Sequence, residues 1–253
     1  MKILRATVAL FALSFSGGLL AQDASLRIHG SNTIGERLAP TLIDAWLRHE
    51  GHATVERFSS AAQETTLRAR GAPGGSFEVQ LRAHGSSTGL ADLLAGRADI
   101  AMASRPVSRA EVETGAALGR LDSAEQEAVV ALDGVAVIVH PRNPLRSLSL
   151  EQLRGVFGGS VRDWARLGRG PGAIRVLARD ENSGTWETFR TLVLGSLPLR
   201  GDARRLESTT QLARMVASDP DAIGFVGHAG IGDARAGPIA EAGHAPSPAP
   251  LTA

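Results

Sequence analysis

Apolar positions along this chain switch repeatedly between two periods. Residues 26–29 and 55–59 are short extended runs, and from Phe77 to Ala83 apolar and polar side chains alternate as on a half-buried strand. From Glu36 to His49, by contrast, Leu38, Leu42, Ile43, Trp46 and Leu47 recur at helical spacing. The same reading predicts further strands over 98–103, 129–140, 174–178 and 223–227. It predicts helices running through Leu90 to Leu94, over a polar stretch 108–123 with Glu111 and Glu113 near its start, and over 150–157, 185–193 and 208–217. Residues 65–76, rich in Arg and Gly, read as a loop, and 161–167 as a turn carrying Trp164. Strands alternating with helices imply an α/β fold with largely parallel sheets.

In such folds ligands bind outside the carboxyl ends of the strands. Four turns in that position share one chemistry: Ser31 and Thr33; Ser86, Ser87 and Thr88; Ser104 and Arg105; and Arg179, Ser183 and Thr185. The last is the richest. A strand ends in Arg179, a permanent cation, and Ser183, Gly184 and Thr185 open a helix whose first amides have no intrahelical acceptor. Gly184 lets backbone approach a ligand, and free amides with the helix dipole favour an anion. Taken alone, that stretch also fits a plain N-cap serine beside a solvated arginine. Four such turns point to a site of neutral donors and arginine suited to a small tetrahedral oxyanion.

Composition changes this picture in three ways. A formal charge of +1 gives no general attraction to nucleic acid or to a membrane surface. The absence of cysteine removes disulfides, thiolate metal sites, a thiol nucleophile and a lipobox. Residues 1–21 carry Lys2 and Arg5, then an apolar run from Ala6 to Phe15, too short to span a bilayer, and end in Ala21. They read as a cleavable signal peptide, which predicts a periplasmic or secreted protein without direct membrane insertion.

With these residues in place the chain resembles the phosphate-binding proteins of ABC importers, in the type II periplasmic binding protein superfamily. The resemblance runs from Arg27 to about Gly230. It rests on 30–35 (Gly-Ser-Asn-Thr-Ile-Gly), 85–89 (Gly-Ser-Ser-Thr-Gly) and 99–106 (Asp-Ile-Ala-Met-Ala-Ser-Arg-Pro). It extends to 150–157 with Trp164, to Arg179 followed by Ser183, Gly184 and Thr185, and to 222–227 (Ala-Ile-Gly-Phe-Val-Gly). The resemblance implies two α/β lobes on a two-strand hinge: lobe I over 24–134, lobe II over 135–226, and a return to lobe I with a Pro/Ala-rich tail over 227–253. It implies a monomer that binds phosphate, serves the membrane subunits of an importer, and uses neither cofactor nor metal nor catalytic residue. By position, Thr33, the Ile34 amide and a serine of the Ser86–Ser87 pair match the first lobe's contacts, and Arg179, Ser183, Gly184 and Thr185 match the second lobe's anion clamp. Ser31, Ser104 and Arg105 complete the candidate ligand set. Arg105 departs from the family, which has an aspartate there that accepts a hydrogen bond from protonated phosphate and so rejects sulfate. Asp180 or Glu181 is then the replacement acceptor. The C-terminus also departs, because family members complete lobe I after the last glycine-rich strand, implying a shortened lobe or a fragment.

Two other function classes fit parts of the chain. Gly85, Ser87 and Gly89 formally match the nucleophile elbow of serine esterases, with His140 or His228 as base. A secreted anion sensor or envelope adaptor would use the same fold without transport. Metal chemistry is weaker still. His49 and His52 are split by Gly51, and the turn from Asp180 lacks the later ligands of a calcium loop.

Overall fold

The computed structural model describes residues 24–72, 75–237, 239 and 240. The signal-peptide reading and the Pro/Ala tail lie outside them. The elements are β1 (Ala24–Gly30), α1 (Asn32–Gly35), α2 (Leu38–His49), β2 (Thr54–Ala61), β3 (Glu64–Ala72), β4 (Gly75–Arg82), α3 (Ser86–Leu94), β5 (Ile100–Met102) and α4 (Arg109–Thr114). After a long connection come β6 (Val135–Val139), β7 (Leu148–Ser149), α5 (Leu150–Gly158), β8 (Arg175–Arg179), α6 (Gly184–Phe189), β9 (Arg204–Leu206), α7 (Thr209–Ser218), β10 (Ala222–Gly227), β11 (Arg235–Ala236) and β12 (Ile239–Ala240).

They form two five-stranded sheets, ordered β2-β3-β4-β1-β5 and β11-β6-β10-β8-β9. Both are mixed rather than largely parallel. In the first, β1 runs parallel to β4 and β5, while β2, β3 and β4 form an antiparallel meander. In the second, β8 is parallel to β10 and β9, and β6 is antiparallel to β10 and β11. The α/β class stands.

Residues 65–72 are strand β3, not loop. Leu67 and Ala69 are buried, and they sit opposite Val79 and Phe77 of β4. The intervening arginines face outward, Arg68 pairing with its cross-strand neighbour Glu78 at 2.7 Å. Period two was present, disguised by arginine and glycine. The strand expected over 129–140 begins at Val135, leaving Val129, Val130 and Leu132 exposed. β-Branched residues form strand when there is a face to pack against, and these have none. The helix expected over 108–123 is six residues long. A Ser108–Glu111 capping box starts it, and Gly115 follows its last turn, with a short 3₁₀ turn beyond.

The first core gathers Ile28, Ile43, Leu47, Leu67, Val79, Leu81 and Met102 between the first sheet and α2. The second sheet is covered on both faces. Phe157, Trp164, Trp186, Phe189 and Phe225 fill one side with α5 and α6, and Leu177, Leu206, Leu212 and Val216 fill the other with α7. Phe189 stacks on Phe225 with ring centroids 3.9 Å apart. Among the described residues the chain passes between the sheets once, through 103–134. After 227 it pairs with β6 and β7. The expected return to lobe I and the two-strand hinge are therefore absent from the described residues, and the two units meet through side chains and turns.

Candidate functional site

Close packing of α3 onto β1 brings the first unit's turns together. A Cβ on Gly89 would lie 2.4 Å from the Gly30 Cα and from the His29 carbonyl oxygen. Gly30 itself, at φ +138°, has Met102 carbonyl oxygen where a Cβ would sit. The Gly85, Ser87, Gly89 pattern is thus explained by packing, since Gly85 in turn lies against Asn182 of the second unit. No histidine bonds to Ser87 among the described residues. Its hydroxyl accepts from Arg105 Nη2 at 3.1 Å, and its amide donates to Asn182 O at 3.2 Å. His140 lies just past β6, where its Nδ1 accepts from the Arg142 amide.

The four turns converge across the two units. Ser86 Oγ lies 3.3 Å from Ser104 Oγ and accepts the Ser104 amide at 3.1 Å. A Cβ on Gly184 would lie 2.5 Å from Ser86 Oγ and 2.8 Å from Ser104 Oγ, so the start of α6 sits directly on the first unit's hydroxyls. Beside them, Thr33 Oγ1 and Thr185 Oγ1 are 3.1 Å apart. Ser183 caps α6, accepting the Trp186 amide at 3.3 Å. Ser31 is buried at the head of α1, its amide donating to Met102 O at 2.8 Å. The Ile34 side chain packs on the first core.

Arg179 ends β8 with its side chain 1% exposed. Nε donates to Leu206 O at 3.2 Å, Nη1 to Thr209 Oγ1 at 2.7 Å, and Nη2 to Asn32 Oδ1 at 2.8 Å. Its nearest paired carboxylate oxygen is Asp180 Oδ2 at 3.7 Å. Burial lowers its pKa, opposed by Asp180, Glu36 and Glu207. Arginine starts so high that the charge remains. Burial also raises the Asp180 pKa, against the Asn182 amide and Arg179, and Oδ2 has no hydrogen-bond partner among the described residues. The result is a buried cation with polar neighbours and an incomplete counter-charge. Three of its five N–H groups have protein acceptors, which leaves donors for an oxyanion.

Arg105 is different. Its guanidinium makes two 2.8 Å bonds to Glu111 and an ion pair with Glu187 at 2.5 Å. Two carboxylates outweigh its single charge, so it braces Ser87 and joins the units instead of presenting a free cation. Asn32, Thr209, Glu36 and Asn182 are the residues that sequence reasoning missed. Each has a partner on the other unit, and no spacing announces it. Glu181 reaches Arg205 at 3.5 Å, not Arg179. Among the described residues no cluster of three or more acidic or histidine side chains fits a metal ion, and no helix is long and apolar enough to cross a membrane.

Comparison with known proteins gives one consistent family. Residues 48–245 match the family model described as a PBP superfamily domain. The chain is 30% identical over 185 residues to protein SphX of Synechococcus elongatus, covering 70% of this chain and 52% of that protein. It is 31% identical over 150 residues to the phosphate-binding protein PstS of Bacillus subtilis, covering 59% and 47%. The chain therefore spans about half the length of these curated relatives. In fold it resembles a Clostridium perfringens protein described as a phosphate ABC transporter substrate-binding protein and solved with bound phosphate. The TM-score is 0.67 at 22% identity, over 85% of this chain and 75% of that one. A Vibrio cholerae protein described as an ABC-type phosphate transport receptor gives a TM-score of 0.55 at 22% identity, over 88% and 78%.

Proposed function

The chain belongs to the PBP superfamily, and on that footing we propose that it is an exported solute-binding protein that captures phosphate between its two units for an ABC importer. The observation that carries this reading is Arg179, buried with its nearest paired carboxylate oxygen 3.7 Å away, beside hydroxyls from both units. An oxyanion seated there would receive charge-assisted bonds from Arg179 and neutral ones from Ser86, Ser104, Thr33, Thr185 and the start of α6. Closure removes water from these donors and strengthens each of them. Hydroxyls, backbone amides and a buried arginine are the groups a binding site for an oxyanion uses, and among the described residues no histidine bonds to Ser87. Discrimination against sulfate needs an acceptor for a protonated oxyanion. Asp180 Oδ2, buried and without a hydrogen-bond partner among the described residues, suits that role, whereas Arg105 does not.

The test is calorimetric titration of the mature chain with phosphate and then sulfate at pH 7 to 8, on wild type and Arg179→Ala. Stripping the counter-charge from a buried anion costs about 3–5 kcal/mol, a loss of roughly two to three and a half powers of ten in affinity. Near-normal phosphate affinity in Arg179→Ala would remove Arg179 from the site. Absence of binding by wild type would favour an adaptor role for the same fold.

A further inference from the structure

Helix α7 begins at the border between the two units. Ser208 caps it, accepting the Gln211 amide at 3.1 Å, which leaves the amides of Thr209 and Thr210 to find other partners. Their partner is Glu36, which follows α1 in the first unit. Glu36 Oε1 accepts from the Thr209 amide at 2.8 Å. Oε2 accepts from the Thr210 amide at 3.0 Å and from its hydroxyl at 2.5 Å. A carboxylate thus occupies the positive end of a ten-residue helix that belongs to the other sheet.

The same helix start holds Arg179. Thr209 accepts from Arg179 Nη1 through its hydroxyl while its amide donates to Glu36, and Asn32, one helical turn before Glu36, takes Nη2. These residues make one circuit: Glu36 fixes Thr209, Thr209 and Asn32 fix the guanidinium, and the Glu36 charge helps Arg179 stay charged although buried. A polar cavity of ≈ 250 Å³, bordered by Gln63, Glu64, Ser208 and Thr210, opens beside Glu36. Water can therefore reach the α7 amides once the carboxylate withdraws.

We propose that Glu36 is a positioning residue for oxyanion binding: it clamps the first unit onto the start of α7 and thereby sets the Arg179 guanidinium through Thr209. Glu36 does not touch the ligand. Parting the units breaks three hydrogen bonds to one carboxylate, so Glu36 acts on the lifetime of the closed form more than on the encounter with ligand. Its effect on affinity rests on the phosphate-binding reading above, whereas the clamp itself does not.

Two measurements separate these claims. The first is amide hydrogen exchange, without phosphate, on wild type, Glu36→Ala and the neutral isostere Glu36→Gln. In Glu36→Ala the Thr209 and Thr210 amides exchange about tenfold to hundredfold faster, the range for bonds to a charged acceptor. Glu36→Gln lies between, and Leu153 in α5 is unchanged. Unaltered exchange at Thr209 and Thr210, or equal acceleration at Leu153, would overturn the clamp. Should Glu36→Ala fail to fold, the comparison of Glu36→Gln with wild type reads the same amides. The second is stopped-flow phosphate binding. Glu36→Ala raises the dissociation rate at least tenfold with a near-normal association rate, and Glu36→Gln recovers part of the loss. Equal rates in all three proteins would remove Glu36 from the binding machinery even if the exchange result held. A wild type that binds no phosphate fails the functional reading and leaves the exchange result to stand or fall alone.

Discussion

Adding one methyl group at Gly184 sets two opposing effects against each other, and their magnitudes decide the outcome. Gly184 is the first residue of α6 and has a negative φ, so alanine is compatible with the backbone. Helix propensity alone would favour it by at most about 1 kcal/mol. Against this, the new Cβ would stand 2.5 Å from Ser86 Oγ, 2.8 Å from Ser104 Oγ and 3.1 Å from Arg105 Cγ. Ordinary carbon contacts begin near ~3.5 Å. Ser86 Oγ is fully buried and accepts the Ser104 amide, so turning it away forfeits that bond. Overpacking of this kind costs about 1–3 kcal/mol. The cost falls on the closed arrangement alone, while the helix term acts within the second unit, open or closed. Gly184→Ala should therefore melt within a degree or two of wild type, or slightly above it, yet bind phosphate about tenfold to hundredfold more weakly. Thermal unfolding followed by calorimetric titration reads both quantities. Wild-type affinity in Gly184→Ala would refute the reasoning, since the two units would not then meet at this residue when ligand binds.

His84 joins Glu207 of the second unit at 2.6 Å and Glu64 of the first at 3.2 Å, with Arg82 also near Glu64 at 3.8 Å. Burial lowers the His84 pKa, but the bonds to Glu207 and Glu64 outweigh it, and the net direction is up. A raised folded pKa gives stability that is complete below the unfolded value, about 6.5, and lost as pH climbs through the folded one. The melting-temperature gap between wild type and His84→Gln should thus be larger at pH 5.5 than at pH 9, and a gap independent of pH would count against the bridge. Phe225 is wholly buried and stacked on Phe189, so Phe225→Ala should lose about 3–5 kcal/mol in chemical denaturation. A loss under 1 kcal/mol would mean that this aromatic cluster is not the core of the second unit.

What the sequence shows and what it conceals divide along a physical line. Local signals survived. Ser183, weighed in the sequence as an N-cap, caps α6, and Glu111, placed near a helix start, closes a capping box with Ser108. Hydroxyl-rich turns at the ends of β1, β4, β5 and β8 were readable because strand ends and helix starts have short-range chemistry. β3 was hidden because arginines on its outer face mask an alternation carried by Leu67 and Ala69. Val129 and Val130 misled for the opposite reason, having strand character but no sheet to join. Arg105 invited an anion-binding reading because only one of its two carboxylate partners is near in sequence: Glu111 is six positions on, but Glu187 is eighty-two positions away. Asn32 and Glu36, whose partners Arg179 and Thr209 lie 147 and 173 positions away, were invisible in the same way. A side chain whose partner is some 150 residues distant leaves no periodicity.

That line also explains why the charged centre of the site belongs to neither unit. Taken alone, the second unit holds Arg179 with the Leu206 carbonyl, the Thr209 hydroxyl and a distant Asp180. The first unit alone holds Asn32 and Glu36 with no cation to serve. Pressed together, Asn32 completes the guanidinium's polar shell and Glu36 engages the helix that carries Thr209. With a single described crossing between the sheets, non-covalent bonds of this kind must set how the two units meet. Among them, the Arg179 circuit ties that meeting to the proposed anion site. On the phosphate-binding reading proposed above, closure and affinity are one equilibrium: whatever loosens the units also unsettles the arginine, and an oxyanion that engages the arginine draws the units together.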